Sequence, residues 1–378
     1  MTMGKHLQNV ACLLVVLALG LYLSEWLLGF YLVKAVSRYP VPPYAVQRHV
    51  TVDYDVIYRY NNYGLRSPDF NPAIVYDVVL LGDSFFFGQG VGEGNTLADG
   101  LGRKGLKVFN ISEIATNPVD YLHKLSVMQA QGLQSRTVVV GLYMGNDFQG
   151  IADKDIGPAL AHPYRAPFLN YDARSFLTLE RLRYQLTCKI KQLEDWFHHY
   201  LLGESTGETV VVHEFEHRRK FDSDWLSFFV GNRPEIIAAM ARGGESPARE
   251  ELTEEAYLEK IQLTPQSFDK TVHILQAMPG RLPAARFCLV LIPDAHHVRG
   301  FRSKKYDAYV ERLKTALSAS YTIIDLHGRV TPAMQFLHDG HLNERGHRMV
   351  AEMIFPSLAR VVPFAVSAPP IPISGPRR

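Results

Sequence analysis

The sequence predicts a three-layer α/β/α fold: a parallel sheet of five strands with helices on both faces. Five short runs rich in branched apolar residues recur along the chain, each of strand length. Helix-compatible segments separate them, and such alternation closes into a parallel sheet covered on both sides. Polar residues cluster directly after the first three runs, at the carboxyl ends of the strands, where open α/β sheets hold their sites.

The first run organises the rest. Val75 to Val91 reads VYDVVLLGDSFFFGQGV. Val78, Val79, Leu80 and Leu81 have the composition of a buried strand, and Gly82 allows a sharp turn into Asp83 and Ser84. Lys107–Ile111 is the second run, Thr137–Tyr143 the third, Arg286–Ile292 the fourth and Tyr321–Leu326 the fifth. Helices are expected over Pro118–Gln131, Ser303–Ala319 and Asn343–Leu358. Ahead of the sheet, alternation at Val56, Tyr58 and Tyr60 predicts one more strand, closed by Asn62 and Gly64.

The chain has 378 residues, 47% of them apolar and 21% charged, which is enough for a large packed body. A net charge of +2 argues against electrostatic nucleic-acid binding. Leu7 to Val33 is apolar except for Gln8, Asn9, Ser24 and Glu25, longer than the roughly 20 residues that one crossing needs. It outruns a signal-peptide core and lacks a small-residue cleavage site, so residues 1–33 read as an uncleaved transmembrane anchor. Trp26, Tyr31 and Tyr39 suit an interfacial belt, while Lys5 against Lys34 and Arg38 gives no orientation. Residues 34–53, with Pro40, Pro42 and Pro43, read as a stiff linker. The body spans 54–362, with a largely helical insertion at about 150–280. That insertion holds an amphipathic stretch, Arg174–Leu202, and helical segments Glu250–Ile261 and Pro265–Met278. It reads as a lid or substrate wall, or else as a docking surface. The tail, 363–378, is proline-rich and expected to be unstructured. Cys12, Cys188 and Cys288 form no disulfide framework.

Ser84 stands where a strand gives way to a helix. It is either a nucleophile beside the positive end of that helix or simply a cap. Gly145, Asn146 and Asp147 follow the third run, and Asp339-Gly340-His341-Leu342-Asn343 stands late in the chain. His341 is a base poised near neutral pH, and on a loop a carboxylate two residues earlier can bend back to its Nδ1. Asn61-x-x-Gly64-x-Arg66 reads as a structural turn, with a substrate-facing role as the alternative.

Gly-Asp-Ser after one strand, Gly-Asn-Asp after another and a late Asp-x-His pair together resemble the SGNH/GDSL hydrolase superfamily, from about Asn61 onward. The resemblance implies a flavodoxin-like sheet and a Ser84–His341–Asp339 triad, with no metal and no cofactor. It implies oxyanion donors from the Ser84 N–H, the Asn146 side chain and a backbone N–H five residues after Asn110. That last position is Ala115, where the family typically has glycine. Asp83, Gly145, Asp147 and Asn343 would support these groups. The substrate implied is an acylated carbohydrate or another small ester, with the catalytic domain outside the cytoplasm. Either water or a sugar hydroxyl could accept the acyl group, so an O-acyltransferase is the first alternative. A non-catalytic glycan-binding or assembly protein is the second.

His213-Glu214-Phe215-Glu216-His217 formally matches the zinc-protease signature, which requires a helix. The preceding Val210, Val211 and Val212 favour a strand instead. No Lys-Ser/Thr follows Gly88, so there is no nucleotide-binding loop, and the Gly-x-Ser-x-Gly elbow of other esterases is absent.

Overall fold

The computed structural model describes residues 9–24, 41, 44–51, 53–161, 212–217, 253–337 and 339–359. The main sheet contains β3 (Val75–Leu81), β4 (Val108–Asn110), β5 (Gln134–Tyr143), β7 (Arg286–Ile292) and β8 (Thr322–Asp325). Its order is β4-β3-β5-β7-β8, with every neighbouring pair parallel. Counted within the sheet this is 2-1-3-4-5, the flavodoxin-like order, and the winding reverses between β3 and β5.

Both faces of the sheet are covered, which is why its strands read as unbroken apolar runs rather than alternating ones. On one face Val79, Leu81, Val140 and Leu291 meet helices α4 (Pro118–Ala130), α7 (Pro265–Ala277) and α9 (Lys304–Leu317). On the other, Val78, Leu80, Val139 and Val290 meet α3 (Leu97–Gly102) and α10 (Glu344–Ala359). Leu80 and Leu81 are fully buried on opposite sides, so truncating either to Ala costs about 2–5 kcal/mol. Helix α7 falls in the stretch read as an insertion. It is instead the crossover between parallel neighbours β5 and β7, and its Phe268, Ile274 and Leu275 belong to the core. Helices α5 (Gly157–Ala161) and α6 (Glu254–Lys260) flank that region. The amphipathic stretch Arg174–Leu202 and the tail 363–378 lie outside the described residues.

A second, antiparallel sheet has the order β2-β1-β6, formed by β1 (Ala45–Val50), β2 (Asp55–Arg59) and β6 (Val212–His217). Strand β1 corrects the reading of 34–53 as a linker throughout. It pairs with β2 on one side and β6 on the other, and its buried Gln47 and His49 are polar, so it shows no apolar strand pattern. Strand β6 contains the zinc-protease-like motif, whose backbone is therefore extended and not the helix that chemistry needs. Tyr58 and Tyr60 pack against Phe87, seating this small sheet on the helix α2 (Ser84–Phe87).

Of the membrane span expected over Leu7–Val33, residues 25–33 lie outside the described residues. Among the described residues no helix is long and apolar enough to cross a membrane. The described residues 9–24 are helical and form α1, in which the Ser24 hydroxyl donates to Leu21 O. Its Leu13, Leu14, Val16 and Leu19 are all exposed.

Candidate active site

Ser84 is the first residue of α2, at the carboxyl end of β3. Asp83 caps this single-turn helix, its Oδ1 accepting from Phe85 N at 3.0 Å. Gly82 fits closely here, since a Cβ would lie 3.0 Å from Phe86 and 3.2 Å from Gly141 O. Arg66 holds the far side of the turn. It is buried, donates to the carbonyls of Phe87, Gly88 and Val91, and stacks 4.5 Å over the Tyr58 ring. Asn61 binds its own turn through Tyr63 N, Leu65 N and Pro68 O. The Asn-x-x-Gly-x-Arg stretch is thus a structural brace.

His341 lies against Ser84, with Nε2 2.7 Å from Oγ. Its Nδ1 is 2.5 Å from Asp339 Oδ1. Gly340, at φ 78°, turns the chain so that the carboxylate can bend back to the imidazole. The loop is pinned at both ends. Asp339 N donates to Asp53 Oδ2 at 2.7 Å, and Phe336 N to His341 O at 2.8 Å. Asn343 donates to Gln335 O and accepts from Gly346 N, joining the loop to α10. Gln89 Nε2 reaches both Asp339 Oδ2 and Tyr54 OH. Burial pushes the Asp339 carboxyl up, but hydrogen bonds from His341, Tyr54 and Gln89 and the His341 charge hold it below the usual carboxylate range.

The other predicted residues flank this chain of bonds. Asn110 ends β4 and donates to Phe86 O, tying the Ala115 loop to α2. Ala115 is exposed, at φ 57°, in the left-handed region that suits glycine. Asn146 follows β5, and its side-chain oxygen has no hydrogen-bond partner among the described residues. Gly145 cannot carry a side chain, because a Cβ would lie 2.5 Å from Asp294 Oδ1 and 2.6 Å from the Tyr143 ring. Asp147 is buried, accepting from Tyr121 OH at 2.9 Å and Tyr143 N at 2.8 Å. Burial pushes Asp83 up to about 6. Burial, and then the charge of Asp83, pushes Asp147 well above the carboxylate range.

Comparison with known proteins adds little to this geometry. No protein-family model matches the chain, and no curated protein matches it. A carbohydrate esterase family 2 enzyme with a carbohydrate binding domain, from Corynascus thermopiles (Myceliophthora fergusii), is similar at 10% identity and a TM-score of 0.36, over 84% of this chain and 87% of that one. Another solved structure is 12% identical with a TM-score of 0.35, over 76% of this chain and 98% of that one. Likeness at that level carries no argument, and the chemistry rests on the site itself.

Several groups here have no signature in the sequence. Tyr54 and Gln89 reach Asp339 from distant segments. Tyr143 stacks on Phe85 at 3.9 Å, and Phe85 lies 4.8 Å from the His341 ring. His347, buried beneath the loop, accepts from Leu97 N, and burial lowers its pKa to about 3. Arg66, by contrast, stood inside a motif already singled out. A serine hydroxyl, an imidazole and a carboxylate joined in this order can move a proton off the hydroxyl and onto a departing group.

Proposed function

We propose that the protein is a serine ester hydrolase acting on acyl esters of carbohydrates. The observation that carries this reading is the run of bonds from Ser84 Oγ to His341 Nε2 and from His341 Nδ1 to Asp339, at the reversal point of a parallel sheet. Ser84 Oγ attacks the ester carbonyl and passes its proton to His341 Nε2. Asp339 holds the ring and stabilises the imidazolium. The tetrahedral oxyanion takes hydrogen bonds from the Ser84 N–H, the Ala115 N–H and the Asn146 amide. Collapse breaks the ester C–O bond, and the alkoxide leaves with the proton from His341. Water then repeats the sequence on the acyl-enzyme, releasing the acid and restoring Ser84. Carbohydrate as the alcohol half, and acetyl as the acyl group, follow the superfamily resemblance.

The exposed apolar side chains of α1, with the apolar sequence that follows, support an anchor that holds the domain at a membrane, on its non-cytoplasmic side. The test of the central reading is Ser84→Ala. Removing a small hydroxyl leaves the fold intact and lowers turnover of acetate esters by about three orders of magnitude or more. A folded variant with full turnover refutes the assignment.

A further inference from the structure

Among the described residues, three Asp-x-His pairs bring the imidazole Nδ1 to the carboxylate: Asp294–His296 at 2.9 Å, Asp325–His327 at 2.6 Å and Asp339–His341 at 2.5 Å. In two of them the other ring nitrogen is engaged. His327 Nε2 meets Tyr306 OH at 2.8 Å, and His341 Nε2 meets Ser84. In the third it is not. His296 Nε2 has no partner among the described residues, and the side chain is 40% exposed. A carboxylate accepts from Nδ1–H, so the neutral ring presents Nε2 outward as a lone pair. Asp294 is well suited to this. It is buried, and it also accepts from His296 N at 2.7 Å and Tyr143 OH at 3.2 Å. Burial pushes its carboxyl up, but the hydrogen bonds from His296 and Tyr143 bring it below the usual range.

This dyad stands at the rim of the site. Asp294 and Ala295 follow β7, the strand next to β5 and its Asn146 turn. A Cβ on Gly145 would lie 2.5 Å from Asp294 Oδ1, and one on Gly340 would lie 3.6 Å from Ala295 Cβ. Tyr143, bonded to Asp294, stacks on Phe85, which faces the His341 ring. The wall beside the His341 loop is therefore the wall that carries His296. In ester cleavage the departing oxygen must lie at His341 Nε2, since that atom returns the proton to it. The alcohol half of the ester consequently extends along the same wall.

We propose that His296, oriented by Asp294, recognises the alcohol half of the substrate, its Nε2 accepting a hydrogen bond from a second hydroxyl of a polyol or sugar. The inference rests on the serine-esterase reading. It distinguishes hydroxyl-bearing leaving groups from alkyl ones that Ser84 and His341 alone treat alike. A site built to pair with a hydroxyl rejects an analogue that lacks it, because the site's own polar atom is left unpaired.

The experiment compares the full chain, wild type and variants, on ethyl acetate and glycerol monoacetate, which share the acyl group and differ in leaving-group hydroxyls. His296→Ala lowers the ratio of kcat/KM for glycerol monoacetate over ethyl acetate by about tenfold, the size of one hydrogen bond, and does so through KM. His296→Gln, which keeps an acceptor oxygen, recovers part of that ratio, and a merely structural role would give no such split or recovery. Truncation at an exposed ring leaves the core untouched; should the Ala variant unfold, His296→Leu replaces it. An unchanged ratio, or equal losses on both esters, overturns the proposal while leaving the esterase reading standing. If wild type cleaves neither of these esters nor 4-nitrophenyl acetate, the esterase reading fails and this proposal falls with it.

Discussion

Ala115→Gly is expected to stabilise the protein, because Ala115 holds a backbone conformation for which it has the wrong side chain. At φ 57° the methyl group crowds the adjacent carbonyl, at a cost of about 1–2 kcal/mol for an L residue. The residue is exposed, so deleting the methyl forfeits almost no buried area and opens no cavity. Glycine in turn loses more chain entropy on folding, about 0.5–1 kcal/mol. The difference leaves a net gain of roughly 0.5–1 kcal/mol. Urea unfolding followed by circular dichroism reads this as a midpoint raised by a few tenths of a molar, about 0.2–0.5 M, with an unchanged slope. The backbone N–H survives the substitution, so turnover stays within about a factor of two of wild type. A variant destabilised by more than about 0.5 kcal/mol refutes the reasoning, because glycine would then be losing entropy without relieving strain. Ala115→Val, with a branched side chain forced into the same conformation, moves the midpoint the other way.

Three further outcomes follow. Asn146→Ala lowers kcat by about 10²–10³ with KM little changed, since its amide meets charge that develops only in the transition state; a raised KM at constant kcat would make it a substrate-positioning group instead. Asp147→Asn is more stable than wild type at neutral pH. The folded carboxyl binds its proton more tightly than the unfolded one, so wild-type stability falls as pH rises out of the ordinary carboxylate range. The variant's advantage therefore shrinks as pH is lowered toward about 4, and thermal melts at pH 4 and pH 8 that show no such difference would refute the burial argument. A reporter that fluoresces only in the cytoplasm, fused after Arg378, stays dark if the domain lies across the membrane; bright cells reverse the proposed topology.

Much of the sheet was legible because its strands are buried on both faces. Val78 to Leu81, Thr137 to Tyr143 and Arg286 to Ile292 need no partner to be read as strands. Ser84 and Asn146 were legible for a different reason, since each sits in a short polar motif at the end of an apolar run, and His341 through the carboxylate two residues before it. The starts of α4 and α7 match the sequence reading, because Asn117 and Thr264 cap the first turn and proline follows, and their ends differ by one residue. Strand β1 was missed because the buried positions Gln47 and His49 are polar, and α7 was assigned to an insertion because its amphipathic pattern says nothing of which sheet it covers. The Asp294–His296 pair looked like any polar turn. Its place beside Gly145 and Gly340 comes from three chain segments meeting, which no local pattern encodes.

The antiparallel sheet has a consequence for the order in which this molecule assembles. The parallel core closes short loops except between β5 and β7, whose connection from Tyr143 to Arg286 contains β6 itself. Strand β6 reaches β1 across the whole stretch between Val50 and Val212. Contacts that close so long a loop are slow to form and are rewarded late. Tyr58, in β2, and Tyr60, just after it, back the Ser84 turn through Phe87, and β2 pairs with β1 as a local hairpin. The backing of the nucleophile therefore depends on a short-range pairing, and the long-range strand β6 adds only to the far edge of that sheet.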